Sequence, residues 1–246
     1  MRSYWKWALG AVGVAVILAL CLYHIWLTGR PVTFFDYFVL DIAFLPLQVI
    51  VVSVIIERLL HERERRAMLK KMNMVIGAFF SEVGNELLRR TVRYCPPPSE
   101  WSAPFQADAD WDDRSYLAAM ARIDRMQCAP QPSPAQLGEL KEFLLARRVF
   151  ILALLQNPNL LEHEAFTDLL WAVTHLTEEL AARASLLDLP PPDLAHLDGD
   201  LNRAFRLLIR EWLSYLRHLR AEYPYIYSLA LRANPLRPDR SAIVRQ

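Results

Sequence analysis

The sequence predicts an all-α protein: a two-span transmembrane helical hairpin continuing into a cytoplasmic helical bundle. Three observations predict it. Two apolar runs, at about residues 7–27 and 38–57, each match the roughly 20 residues a helix needs to cross a hydrocarbon core. Beyond them, long segments are rich in Leu, Ala, Arg and Glu, poor in Val, Ile and Thr, and the chain holds only 7 glycines. Nine of the 16 prolines cluster at 96–98, 130–134 and 190–192, so these clusters mark connections between helices rather than interrupt them.

The first run follows a basic, aromatic start, Met1 to Trp7. Trp5 and Trp7 at one end, with Tyr23 and Trp26 at the other, suit the two interfacial belts of a spanning helix. A cleaved signal peptide is the rival, but no small-residue cleavage site follows, and Leu20 is too large for a lipoprotein site at Cys21. Ala11, Ala15 and Ala19 recur every fourth residue, which lets a neighbouring helix approach closely within the hairpin. Thr28 to Tyr37, with Gly29 and Pro31, is expected to be the turn.

Charge sets the orientation. Arg2 and Lys6 precede the first run, Arg58, Arg63, Arg65, Arg66, Lys70 and Lys71 follow the second, and the turn holds only Arg30. By the positive-inside rule both termini are expected in the cytoplasm, with the chain as a multi-pass protein of the inner (plasma) membrane. On the second span, Asp41 and Gln48 fall on one side with Tyr37. An acid within a span usually faces protein or water, so the pair marks a helix interface or, as alternatives, a pore or, since Asp41 stands a few residues from the outer end, an acid that simply reaches the headgroups. Pro46 is expected to kink this span.

Nothing breaks the helical pattern from Phe38 to Tyr94, so residues 58–94 read as a juxtamembrane stalk stopped by Pro96-Pro97-Pro98. Leu69, Met72, Ile76, Phe79, Phe80, Val83 and Leu87 share one face of it, and Gly77, Ser81 and Gly84 form a strip of small residues beside them. Residues 95–234 then form the bundle, and residues 235–246 a loose tail.

Within the bundle, Trp101, Phe105 and Trp111 are expected to tack an irregular linker onto the domain. Asp112 or Asp113 caps a helix from about Arg114 to Gln127. Ser133-Pro134-Ala135-Gln136 combines a capping residue, a proline at the first helical position and a Gln at the third, and opens a helix to about Gln156. Glu162 to about Leu187 is clearly amphipathic, with Phe166, Leu169, Leu170, Val173, Leu176 and Leu180 inward. A helix from about Leu197 to Glu222 buries Leu201, Phe205, Leu208, Ile209, Trp212, Leu216 and Leu219, and a short one follows from Pro224 to Arg232. The cysteines Cys21, Cys95 and Cys128 share no CxxC spacing, and Cys95 and Cys128 read as reduced thiols of a cytoplasmic domain.

Two constellations could carry chemistry. His175, Glu178 and Glu179 are neighbours at i, i+3 and i+4, and with Glu164 and Asp168 they make a polar face able to hold a divalent metal. Ferritin-like di-iron bundles use Glu-x-x-His pairs, and none occurs here. The face is therefore expected to be solvated, with His175, Glu178 and Glu179 the weak candidates for metal. Arg203, Arg206, Arg210 and Arg217 form a basic stripe on the following helix, and the acids Glu164 and Asp168 with it suggest two charged contact faces that meet within or between subunits. Anionic lipid headgroups are the runner-up for the stripe. His61, His163, His196 and His218 look scattered, each more structural than catalytic.

A net charge of +1 gives no general reason to expect nucleic acid. No GxxxxGK[ST], GxGxxG, HExxH, GxSxG or TVGYG occurs. No cofactor or enzymatic activity is expected. The chain reads as a membrane-anchored scaffold or oligomeric assembly subunit whose partners are membrane lipid and a second copy or another membrane protein. An oligomeric channel with Asp41 and Gln48 near the pathway is the alternative, and a metal-binding bundle a weaker one.

Overall fold

In the computed structural model the described residues are 19, 22–23, 25–27, 29, 31–97, 101–126, 128–160, 163–237 and 240–243. The protein is all-helical: among these residues there is no strand. It divides into two compact units, Met1–Arg65 and Arg66–Gln246.

In the first unit, most of the first apolar run, including Ala11, Ala15 and Cys21, lies outside the described residues. Gly29 adopts a left-handed φ of 60° and its amide donates to Ile25 O at 2.9 Å, a helix-ending bond that only a residue without a Cβ makes freely. Helix α1 (Pro31–Phe79) begins two residues on, so the turn is shorter than Thr28 to Tyr37. A proline in the first turn needs no backbone donor, and Pro31 therefore starts the helix where the sequence suggested a break. Among the described residues one stretch, Phe44–Glu64, is apolar and long enough to cross a bilayer, and none of it is buried.

The second unit is built around aromatic packing. Met72, Ile76, Phe79, Phe80, Val83 and Leu87 are buried, as their spacing predicts. Phe79 packs edge-on against Phe166 at 5.3 Å between ring centres, and Phe80 stacks on Tyr215 at 5.2 Å. Beyond these rings the helix widens into a π turn, Phe80–Gly84, before α2 (Asn85–Arg93). A π turn inserts one residue and re-phases the face that follows it. Gly84 is required there: a Cβ would lie 2.5 Å from the Phe80 ring and 2.9 Å from that of Phe79. At Gly77 a Cβ would meet Tyr215 Oη at 3.1 Å, so that part of the small-residue strip seats a neighbouring side chain, while Ser81 is exposed.

The linker is pinned. Trp101 and Phe105 are buried, and Trp101 lies 5.7 Å from Phe205. Cys95 and Cys128 are not free thiols but form a disulfide with Cα atoms 6.2 Å apart, which corrects the expectation. Gln131 N donates to Tyr94 O at 2.8 Å beside it, so backbone pairing brings the two cysteine-bearing segments together across a separation no motif reports. Helix α3 (Asp113–Met120) is capped by Asp112, which accepts from Ser115 N at 2.8 Å, and it ends well before Gln127. The chain turns there through Ile123–Arg125, and Arg206 donates to the carbonyl groups of Ile123 and of Met126 just beyond it.

Helix α4 (Pro134–Leu155) starts at the capping box: Gln136 N donates to Ser133 Oγ at 3.3 Å, and Ser133 N to Gln136 Oε1 at 2.7 Å. Helix α5 (Glu164–Ala182) stops short of Leu187, and α6 (Pro191–Glu222) starts ahead of Leu197. Pro191 and Pro192 fill the first turn of α6, so this proline run opens the helix instead of merely separating two. The short α7 (Pro224–Arg232) follows.

Candidate metal centre

Helices α5 and α6 each carry an i, i+4 polar pair. On α5 it is His175 and Glu179; on α6 it is His196 and Asp200. Such a pair projects from one side of its helix. Buried Leu176, Leu180, Leu197 and Leu201 flank the four residues in sequence and pack both helices into the core at this level. The four side chains converge. Asp200 Oδ2 lies 3.2 Å from His175 Nε2 and 3.4 Å from His196 Nε2. Glu179 approaches the same two nitrogens, Oε1 at 3.9 Å from that of His175 and Oε2 at 3.7 Å from that of His196. One ligand atom each from His175, His196 and Asp200 fits within a span of 4.8 Å.

Solvent reaches this cluster from one side. The imidazoles are 45% and 52% exposed, whereas the Asp200 carboxylate beneath them is 4% exposed. Asp200 Oδ2 accepts no hydrogen bond, because neither imidazole meets it in hydrogen-bonding geometry. Its other oxygen, Oδ1, lies 3.6 Å from the Arg203 guanidinium.

Arg183, just past the end of α5, ties the two helices. Its Nη1 donates to Glu179 Oε2 at 2.9 Å and its Nε to Asp193 Oδ2 at 2.8 Å. Those hydrogen bonds hold the Glu179 and Asp193 carboxyls below the usual carboxylate range, and the carboxylates in turn raise Arg183, Asp193 foremost. Lys141 Nζ donates to Arg183 O at 2.6 Å and so fixes the connection from α4.

Of the sequence candidates, His175 and Glu179 belong to the cluster and Glu178 does not: it faces Arg148 of α4 at 3.8 Å. Glu164 and Asp168 are exposed near the start of α5. His196 and Asp200 were missed. The signal was present as a second His-x-x-x-acid pair, but starting the helix at Leu197 cut His196 off from it. The basic stripe has other partners than the acids of α5. Arg206 donates to Ile123 O at 2.6 Å and to Met126 O at 2.9 Å, Arg210 meets Asp124 at 3.1 Å, and Arg217 meets Asp113 at 2.8 Å. Among the described residues no ion pair joins Arg206, Arg210 or Arg217 to α5. Gln48 is exposed on α1, the helix that also carries Asp41.

Residues 68–232 match the family model described as "Uncharacterized protein MJ1433, C-terminal helical domain", and residues 1–60 match "MJ1433, N-terminal helical domain". The uncharacterized protein MJ1433 of Methanocaldococcus jannaschii is 39% identical over 240 residues, covering 94% of this chain and 96% of the relative. No solved structure matches the chain at a significant level.

Proposed function

The chain belongs to the MJ1433 family, and from that premise we propose that it is an integral membrane protein acting as a non-enzymatic scaffold or assembly subunit. One observation carries this reading: the helical stretch Phe44–Glu64 is apolar, 21 residues long and wholly unburied. At 1.5 Å per residue it measures about 31 Å, the thickness of a hydrocarbon core. In lipid its apolar side chains need no protein partner, and its backbone is satisfied within the helix.

In this proposal residues 7–27 form a second span, making a hairpin with the exposed stretch of α1. The basic run Arg58 to Lys71, against a lone Arg30 between the spans, puts both termini on the cytoplasmic side of the plasma membrane. The Cys95–Cys128 disulfide is a feature that oxidising compartments favour, and it pulls the other way. Charge sets the orientation because it acts at insertion, before the domain folds and the thiols pair. Buried Cys128 then shields the bridge from reductants. Assembly uses what the domain leaves in water: the exposed acids Glu164 and Asp168 and the largely exposed Arg203. The partner is a second copy or another membrane protein.

The test is extraction of the native protein, sizing in detergent, and protease added outside intact cells. The expected result is a detergent-dependent particle larger than one chain, with residues beyond 66 protected from outside protease. Recovery without detergent overturns the anchoring, cleavage from outside overturns the orientation, and a monomer without a co-purifying partner overturns the assembly. Ion flux in liposomes that Asp41→Asn abolishes would replace assembly with conduction.

A further inference from the structure

We propose that His175, His196 and Asp200 bind one divalent transition-metal ion of the zinc class, with Glu179 facing the fourth coordination position. The donor set points to that class. Two imidazoles with a carboxylate suit zinc and its first-row neighbours, whereas magnesium and calcium take oxygen ligands.

The spacing points the same way. Bonds of about 2.0–2.1 Å in a tetrahedral shell put neighbouring ligand atoms about 3.3–3.4 Å apart. Asp200 Oδ2 stands 3.2 Å and 3.4 Å from the two Nε2 atoms. These contacts lack hydrogen-bond geometry. Ligands of one ion behave in this way, because their lone pairs aim at the ion and not at one another.

Burial supplies an independent argument. Asp200 is 96% removed from solvent, and its Oδ2 makes no hydrogen bond to the described residues. A buried carboxylate oxygen left so is costly unless a cation meets it. Arg203 serves only the other oxygen. A metal ion at the convergence of the two nitrogens satisfies Oδ2, and the half-exposed imidazoles leave it a path in from solvent. Glu179, oriented by Arg183 and through it by Asp193, is placed as hydrogen-bonded carboxylate ligands are in metal sites.

The rival arrangement is a metal-free cluster in which protonated histidines pair with the two carboxylates. The experiment separating them uses full-length, tag-free protein in detergent, stripped with chelator and titrated with zinc by calorimetry, then with cobalt in the visible range. The expected result is one zinc per chain and the intense visible bands of tetrahedral cobalt. His175→Ala, His196→Ala and Asp200→Asn each weaken zinc at least tenfold, Glu179→Gln weakens it about tenfold, and Glu178→Gln leaves it unchanged. Both histidines are half exposed, so their variants keep the fold, as helical ellipticity will show. Substoichiometric zinc, unaltered affinity in His196→Ala, or a loss in Glu178→Gln equal to that in His196→Ala overturns the proposal. Each of those results means adventitious binding at an acidic surface or none.

Discussion

Replacing both Cys95 and Cys128 by serine opens a covalent loop whose ends are 33 residues apart in sequence. The loop holds α3 and the turn Ile123–Arg125, anchored by Trp101, Phe105, Tyr116 and Ile123, all buried. Closing a loop of that length removes about 3–4 kcal/mol of chain entropy from the unfolded state. Folded-state contacts are nearly untouched, so the loss should appear in global unfolding and not as fraying of the linker. Against a typical stability of about 5–15 kcal/mol this is a large share. The assay is urea unfolding of the full chain in detergent, followed by helical ellipticity. With a slope of about 2 kcal/mol/M, the midpoint should fall by about 1.5–2 M. Reducing the unsubstituted protein should match the double variant. A double variant unfolding at the original midpoint refutes the entropic argument. Alkylation of both thiols in unreduced native protein refutes the bridge itself.

Two further outcomes follow from the core. Gly84→Ala should cost about 1–3 kcal/mol, because its Cβ would overlap the Phe79 and Phe80 rings. Gly138→Ala in α4, which has nothing within 4 Å, should instead add about 0.5–1 kcal/mol. Equal midpoints for the two variants would show that the π turn does not depend on a glycine. Burial pushes the Glu211 carboxyl up from 4.5 to about 7, so the folded chain keeps a proton that the unfolded chain releases. That stabilisation is whole below about pH 4.5 and is lost as pH rises through 7, a fall on the order of 3 kcal/mol. Glu211→Gln should remove the fall, so wild type and variant should diverge between pH 5 and pH 9 in urea midpoints. A difference that stays constant across that range refutes it.

What was legible in the chain was local. The Ser133 and Gln136 box lies within four residues, and its reciprocal hydrogen bonds depend on nothing beyond them. The face Met72, Ile76, Phe79 and Val83 needed only helical spacing to identify. His175 and Glu179 were legible in the same way, as one turn of helix. The rest failed where a rule met a neighbour. The proline run 190–192 read as a stop, yet Pro191 and Pro192 sit where a helix wants no amide donor, and the error hid His196. The arginine stripe was real, but which acids face it depends on how α6 rolls against α3.

By itself, then, the sequence determined the helices, the exposed apolar stretch and the half of the polar cluster that lies on α5. Those follow from periodicity and capping, interactions spanning a turn or two, which the order of residues states outright. Only the tertiary structure decided that Asp200 would be buried under two imidazoles, that Cys95 would meet Cys128, and that Phe79 would pack on Phe166 and Phe80 on Tyr215. Each of those depends on packing between segments far apart in the chain. Chain entropy leaves such partners open until the core closes and allows one arrangement.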